Sequence, residues 1–218
     1  MTLRRHLTPL EARIVAVLVE KAATVPDTYP LSLNALLAGC NQKTARDPVI
    51  NATEAEVLTA VDGLKSLSLV FEGSGSRVVR FEHNMARVYS LPAASVALLT
   101  TLMLRGPQTA AELRLHSERL HRFADISSVE GFLDELASKE PPRVLKLPRA
   151  PGAREARWVH LLCGEVAIEA GSLPTGEDGV SSGEISALKA EQARLAEQLL
   201  RLEQWAQRVG AELGIDPP

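Results

Sequence analysis

Two stretches of the chain combine the hydrophobic spacing of an α-helix with an immediately following pair of short strands. They are residues 53–83 and 127–162. In each stretch, apolar residues recur every three or four positions, and strand, turn and strand follow. The apolar positions keep the same spacing in both helices: Val57, Val61 and Leu64 in the first, and Val129, Leu133 and Leu136 in the second. The pattern therefore predicts two copies of one helix-and-hairpin unit.

Two further helices are predicted ahead of the first copy. A capping box at Thr8, with Pro next and Glu three residues on, begins a helix that runs to about Lys21. A short second helix begins after Ser32 and ends at Gly39, and the polar stretch CNQKTARDPVINA then forms a loop. Thr53 caps the third helix, because Glu follows it at the capping-box spacing.

The hairpins and the second copy are predicted in the same way. Strands at about 69–72 and 77–83 flank the turn GSGS, and the second hairpin is longer because it carries the insert PRAPGAREA. The helix signals predicted for the second copy are a stop at Gly106, a cap at Thr109 and a cap at Ser127 or Ser128.

These elements predict a mainly α fold with small β-hairpins (α+β), arranged as two tandem winged-helix domains and a C-terminal helix. The predicted domains are residues 1–90 and 91–163. A Gly-, Ser- and acid-rich linker, 164–183, precedes a coiled-coil-like helix over 184–213, in which apolar residues occupy alternating a and d positions.

Two assemblies are open for that last helix: a homodimer through its apolar stripe, or a helix that folds back onto its own domains. The dimer is favoured, because an apolar stripe costs free energy unless it is covered. The candidate dimerisation residues are Ile185, Leu188, Leu195, Leu199 and Leu202.

Charge is unevenly distributed along the 218 residues. Lys and Arg outnumber Asp and Glu by ten to nine in residues 1–92 and by ten to eight in 93–163, whereas they are outnumbered by ten to four in 164–218. The two predicted domains are therefore only mildly basic, and any contact with nucleic acid depends on local clusters. No stretch approaches the roughly 20 apolar residues of a membrane span, so a cytoplasmic location with no membrane partner is expected.

Double-stranded DNA is the first partner that this fold suggests. A winged helix places its third helix in the major groove and its wing beside phosphates. The basic residues concentrate in the loop before the third helix, at its end and in the wings. The candidate phosphate contacts are Lys43, Arg46, Lys65, Arg77, Arg80, Arg149, Arg154 and Arg157.

A protein partner is the alternative. Both third helices are acidic: the first carries Glu54, Glu56 and Asp62, and the second carries Glu130, Asp134 and Glu135. Because carboxylates repel phosphates, neither helix has the composition of a major-groove reader. The sequence thus leaves open a transcription-associated DNA binder or a module that docks a protein through these helices.

The sequence shows no pattern typical of an enzyme active site or a metal site. The five His and two Cys show no metal-ligand spacing, and no nucleophile stands in a recognisable relation to a base. We therefore expect no enzymatic activity, no metal and no cofactor.

Several unusual amino-acid strings resemble those of a known protein family. They include LTPLEARIVAVLVEK, CNQKTARDPV, GSGSRVVRFEHN and LPRAPGAREAR, and they extend over nearly all of residues 7–162. In these strings the chain closely resembles the YceH family of bacterial proteins. The resemblance implies a tandem winged-helix architecture with a helical C-terminal segment, and it implies no reaction or ligand.

Overall fold

The architecture comes from a computed structural model, which describes residues 5–73, 78–149 and 154–166. All of them belong to one unit, Met1–Ala167. Among the described residues, no helix is both long enough and apolar enough to cross a membrane. The elements are α1 (Pro9–Thr24), a 3₁₀ helix (Pro26–Thr28), β1 (Leu31–Ser32), α2 (Leu33–Cys40), α3 (Glu54–Ser66), β2 (Val70–Gly73), β3 (Arg80–His83), α4 (Met85–Tyr89), α5 (Ala93–Arg105), α6 (Ala110–His116), α7 (Ile126–Ala137), β4 (Val144–Lys146) and β5 (Trp158–His160).

These elements confirm a mainly α fold with small antiparallel β-hairpins. The division into domains 1–90 and 91–163 stays a prediction. The linker 164–183 is described only as far as Val166. The helix 184–213, with the candidate dimerisation residues Ile185, Leu188, Leu195, Leu199 and Leu202, lies outside the described residues.

Three helices begin where the sequence predicts. At Thr8, Thr53 and Thr109 the hydroxyl accepts a hydrogen bond from the backbone N–H three residues on, and the Glu at that position accepts from the backbone N–H of the Thr. The predicted cap of α7 is wrong. Asp125 caps that helix, and Ser128 is its capping-box partner. Ser128 lies three residues after Asp125, at the capping-box spacing, so the helix begins earlier in the chain than predicted.

Other helix ends also differ from the prediction. Helix α1 continues to Thr24 instead of ending near Lys21, and α4 was not predicted. Helix α2 extends one residue beyond Gly39, the predicted end, to Cys40. The glycine has a packing role instead: a Cβ there would lie 2.6 Å from Cγ1 of Val17, so its absence lets α2 approach α1.

The core is centred on α1 and α5, which pack against each other. Every residue from Glu11 to Val19 and from Ala94 to Leu104 is buried. A helix that is buried on all sides must be covered by several neighbours. Helices α2 and α3 cover α1, whereas α6 and α7 cover α5. The buried residues of both halves therefore form one continuous core.

The strands repeat the same arrangement in both halves. In the first, β3 pairs with β2 and also with β1, where Leu31 lies opposite Phe81. In the second, β4 pairs with β5, and Gln108 forms a single bridge to Trp158. The separation in sequence between Gln108 and Trp158 equals that between Leu31 and Phe81, so the bridge at Gln108 takes the place of β1.

The capping boxes give a first test of this local structure. Thr53→Ala and Thr109→Ala each remove a side-chain acceptor, and we expect each to lower the free energy of unfolding by about 1 kcal/mol. Thr59→Ala is the matched control. Its hydroxyl donates only to the carbonyl of Ala55 within α3, so its loss should change stability by less than about 0.5 kcal/mol. Urea unfolding followed by circular dichroism measures all three, and equal effects would contradict the assignment of the caps.

Candidate nucleic-acid interface

Arg46 is not on the surface. Its side chain is completely buried, with Nη2 2.6 Å and Nη1 3.2 Å from the two carboxylate oxygens of Glu20. Nε donates to the carbonyl of Gly39. Burial alone would raise the pKa of Glu20, but the hydrogen bonds and charge of Arg46 outweigh it, so the pKa is lowered and the pair is ionic. The structure therefore corrects the expectation that Arg46 is accessible to phosphate.

The loop over residues 41–52 is fixed by hydrogen bonds, both within the loop and to neighbouring helices. The Asn41 amide donates to the carbonyl of Ala52 and accepts from its N–H, at 2.9 and 2.8 Å. The backbone N–H of Asp47 donates to the carbonyl of Leu104, at the C-terminal end of α5. Arg13 donates to the carbonyls of Cys40 and Pro48. The unusual string CNQKTARDPV thus ties α1, α2 and α5 together.

Sequence reasoning missed two members of this network, Arg13 and Glu20. The available signal was the position of Arg13 directly before the apolar run IVAVLV of α1, where a charged residue that becomes buried needs polar partners. Nothing in the sequence indicated that Glu20 lies beside Arg46, because the two are far apart along the chain.

Lys65 is surrounded by carboxylates. Its Nζ lies 2.5 Å from Oε2 of Glu72 and 3.4 Å from Oδ1 of Asp62. Hydrogen bonding to Glu72 raises the pKa of Lys65. A phosphate that approaches this ammonium group meets two negative charges as well, which weakens the attraction.

Arg80 and Arg157 have equivalent structural roles in the two halves. Arg80 Nη1 donates to the carbonyl of Pro30 at 2.7 Å, and Arg157 Nη1 donates to the carbonyl of Pro107 at 2.8 Å. The two pairs span the same separation along the chain. Arg157 also pairs with Glu112 at 3.2 Å. Each arginine is exposed, but each ties the last strand of its half to the segment ahead of the second helix.

Three of the predicted contacts remain accessible and unneutralised. Lys43, Arg149 and Arg154 are exposed and have no carboxylate or carbonyl partner among the described residues. Arg119 and Arg122 share these properties, and they lie in the segment between α6 and α7. Arg77 is outside the described residues. The accessible basic residues described in the structure therefore lie on loops, and none of them belongs to either third helix.

The exposed faces of α3 and α7 have the same composition, two carboxylates and one aliphatic side chain, in a different order. Each presents a stripe of three residues at spacing i, i+4 and i+8, and the two stripes correspond in the same register as the buried positions of the two helices. Each contains one aliphatic side chain, Leu58 at 40% exposure or Ile126 at 45%. The stripes are Glu54, Leu58 and Asp62 on α3, and Ile126, Glu130 and Asp134 on α7.

No metal centre is present among the residues that the structure describes, because they contain no group of three or more His, Cys, Asp or Glu side chains placed to hold an ion. His160 is the histidine whose titration the fold changes most. Its Nδ1 is enclosed and has no hydrogen-bond partner in this part of the chain. Burial lowers the pKa of His160 to about 4.

The family model described as "Protein of unknown function, DUF480" matches residues 7–153. The chain belongs to the DUF480 family. This confirms the resemblance to a family of bacterial proteins that the sequence suggested.

Relatives extend the match over nearly the full length. A UPF0502 protein from Leptothrix cholodnii is 67% identical over 216 residues, which is 97% of each chain. UPF0502 proteins from Burkholderia multivorans and Paraburkholderia phytofirmans are each 68% identical, over 97% of this chain and 91% of their own. The DUF480 match includes the buried network around Arg46 and both third helices.

The buried network predicts a large stability effect at Arg46. Arg46→Met removes the buried cation and leaves Glu20 paired only with Lys21, whose Nζ lies 3.2 Å from Oε2. We expect a loss of about 2–3 kcal/mol in the free energy of unfolding. Lys43→Met, on the exposed part of the same loop, should change it by less than about 0.5 kcal/mol. Chemical denaturation of both variants checks this, and a mild effect of Arg46→Met would mean that the ion pair is not formed in solution.

His160 predicts a loss of stability in acid. The pKa of His160 falls from an ordinary 6.5 to about 4 on folding. Below about pH 6.5 the unfolded chain therefore binds a proton at this residue, whereas the folded chain does not bind it until about pH 4. Stability is therefore lost as the pH falls through this window, by roughly 2 kcal/mol at pH 5. The less strongly lowered pKa values of His83 and His116 act in the same direction.

His160→Gln isolates this contribution, because glutamine does not titrate. The drop in the free energy of unfolding between pH 7 and pH 5 should shrink by about 2 kcal/mol in the variant. His121→Gln is the matched control at a histidine outside the core. An unchanged pH dependence in H160Q would show that His160 is solvated in the folded protein.

Proposed function

We propose that this DUF480 protein is a non-enzymatic docking module with two winged helices, which binds a protein partner through the stripes on α3 and α7. The winged-helix assignment is supported by the element order, which is helix, strand, helix, helix, strand, strand in the first half. The sheet order β1-β3-β2 supports it as well. In the second half the bridge at Gln108 stands in for the first strand.

The pair of matching stripes is the observation that carries the proposal. In a winged helix the exposed face of the third helix is the usual contact surface. Here each face carries two carboxylates and one exposed aliphatic side chain. Lys65, the one basic residue within α3 and α7, is already paired with Glu72. A surface of this kind repels DNA and suits a protein segment with Lys or Arg beside apolar residues.

Binding of double-stranded DNA is the second candidate. It is favoured by the accessible charges of Lys43, Arg149 and Arg154, which have no carboxylate partner among the described residues. Arg46 is not among the proposed DNA contacts, because its side chain is buried. The proposed location is the cytoplasm, and the proposed assembly is a homodimer through residues 184–213, which rests on the heptad pattern alone.

Charge reversal tests the docking function. One variant carries Glu54→Lys and Asp62→Lys on α3, and a second carries Glu130→Lys and Asp134→Lys on α7. The matched control carries Glu82→Lys and Glu118→Lys, which reverse two exposed carboxylates outside the third helices. Each tagged full-length chain is used to capture proteins from a nuclease-treated lysate, and each captured protein is then purified and its affinity measured.

We expect at least one purified partner whose affinity falls tenfold or more, which is about 1.4 kcal/mol, in a stripe variant and stays unchanged in the control. Equal binding by all four chains would overturn the proposal. Fluorescence anisotropy with a duplex of about 30 base pairs at about 50 and 200 mM salt distinguishes the second candidate, since roughly three phosphate contacts give a slope of log K on log salt near -3.

A further inference from the structure

A cavity of about 530 Å³ lies where the two halves of the core meet. Its walls are the start of α1, the loop over residues 47–52, the C-terminal end of α5 and the chain around β5. The buried apolar residues of these walls are Ala12, Leu102, Met103 and Val159. A volume between about 300 and 1,000 Å³ with an apolar lining is typical of a site for a small molecule.

Arg13 and His160 also belong to the wall, but they do not make the interior polar. Arg13 donates from its two terminal nitrogens to the carbonyls of Cys40 and Pro48, and its Nε is enclosed. Nδ1 of His160 is enclosed as well. Because burial lowers the pKa of His160 to about 4, this side chain is neutral at pH 7. The interior therefore favours an apolar body over a charged group.

The exposed polar side chains of the lining are acidic or neutral. They are Asp47, Asn51 and Glu56. Neither carboxylate forms a salt bridge in the described part of the chain. Asp47 acts at longer range on Arg13, whose charge offsets one of the two carboxylates. Hydrogen bonds from Thr53 lower the pKa of Glu56, so it stays ionised and the lining keeps one net negative charge at neutral pH.

We propose that this cavity binds a small primary amine with an apolar body, whose ammonium group lies at the exposed edge beside Asp47 and Glu56. The apolar body lies against Met103 and Val159. An ammonium group carries three donors and no acceptor, which suits carboxylate oxygens and the amide oxygen of Asn51. The same carboxylates repel an acid. This site is independent of the docking function, because no residue of either stripe lines the cavity.

Hexylamine, 1-hexanol and hexanoate are the probes, because they share one apolar body and differ in the charge of the head group. At about pH 7 the amine is protonated and the acid is ionised. Two-dimensional ¹H–¹⁵N NMR of the full chain follows each titration through the backbone signals of lining residues such as Asn51, Gly106 and Val159. We expect hexylamine to shift these signals saturably, with a dissociation constant at least about threefold below that of 1-hexanol. Hexanoate should bind more weakly than 1-hexanol.

Salt separates the contribution of charge from that of the apolar contact. Raising the salt concentration from about 20 mM to about 500 mM screens exposed charges, so the three dissociation constants should approach each other. Equal dissociation constants at about 20 mM salt, or a preference for hexanoate, would overturn the amine assignment. If no probe shifts the lining signals at up to about 10 mM, the site itself is wrong.

Asp47→Asn combined with Glu56→Gln removes both carboxylates of the lining. The capping box of α3 is kept, because glutamine also serves at its third position. This variant should bind hexylamine and 1-hexanol with equal affinity. The matched control, Asp27→Asn with Glu82→Gln, changes two exposed carboxylates outside the lining and should keep the preference for the amine. A preference that survives in D47N/E56Q contradicts the placement of the ammonium group.

Ala52→Leu fills part of the cavity, because Ala52 lines it, and should weaken hexylamine about tenfold or more. Ala86→Leu makes the same substitution at an exposed position on α4 and should leave binding unchanged. An unchanged dissociation constant in A52L contradicts the site. If either lining variant fails to fold, the salt series on the unsubstituted chain decides.

Discussion

The packing of α1 against α5 is the contact on which the rest of this structure depends. Because each helix is buried on all sides, neither half can cover its own first helix completely. Each half leaves one face of that helix to be covered by the other. The two repeats therefore share a core, and the segment that joins them, α4, needs only a single turn and a half of helix to pass from β3 to α5.

A second constraint follows from the charges enclosed beside that core. Arg13 and Arg46 are both buried. Burial lowers the pKa of Arg13, and repulsion by the charge of Arg46 lowers it further. Glu20 neutralises Arg46, while backbone carbonyls of the loop satisfy the terminal nitrogens of Arg13. The loop conformation is thus fixed by ionic and polar contacts, which demand more specific geometry than apolar packing does.

Local signals in the sequence were sufficient for most of the secondary structure. Thr8, Thr53 and Thr109 mark helix starts because capping boxes depend only on residues close together in the chain. The same reasoning failed at Asp125, where two kinds of cap compete within a few residues. It also failed for the environment of α1, because periodicity identifies one apolar face and cannot show that IVAVLV is covered on every side.

The candidate site was less predictable, because its residues depend on contacts between distant parts of the chain. A basic residue in a loop looks the same in the sequence whether it is solvated, as Lys43 is, or enclosed, as Arg46 is. The partners of Arg80 and Arg157 are carbonyl groups in distant segments, at Pro30 and Pro107. Such partners leave no pattern in a single sequence, so a count of Lys and Arg overstates the charge available to a phosphate backbone.

The two halves differ in length at the loop that carries the buried network around Arg46. The caps of the second and third helices, Ser32 and Thr53, are farther apart along the chain in the first half than their counterparts Thr109 and Asp125 are in the second. The additional length falls in the loop that holds Arg46 and contacts α5. Because the second half has no counterpart to this loop, the halves meet asymmetrically there. The duplication supplies an acidic stripe on each third helix, whereas the insertion joins the first half to α5 through the hydrogen bond from the backbone N–H of Asp47 to the carbonyl of Leu104.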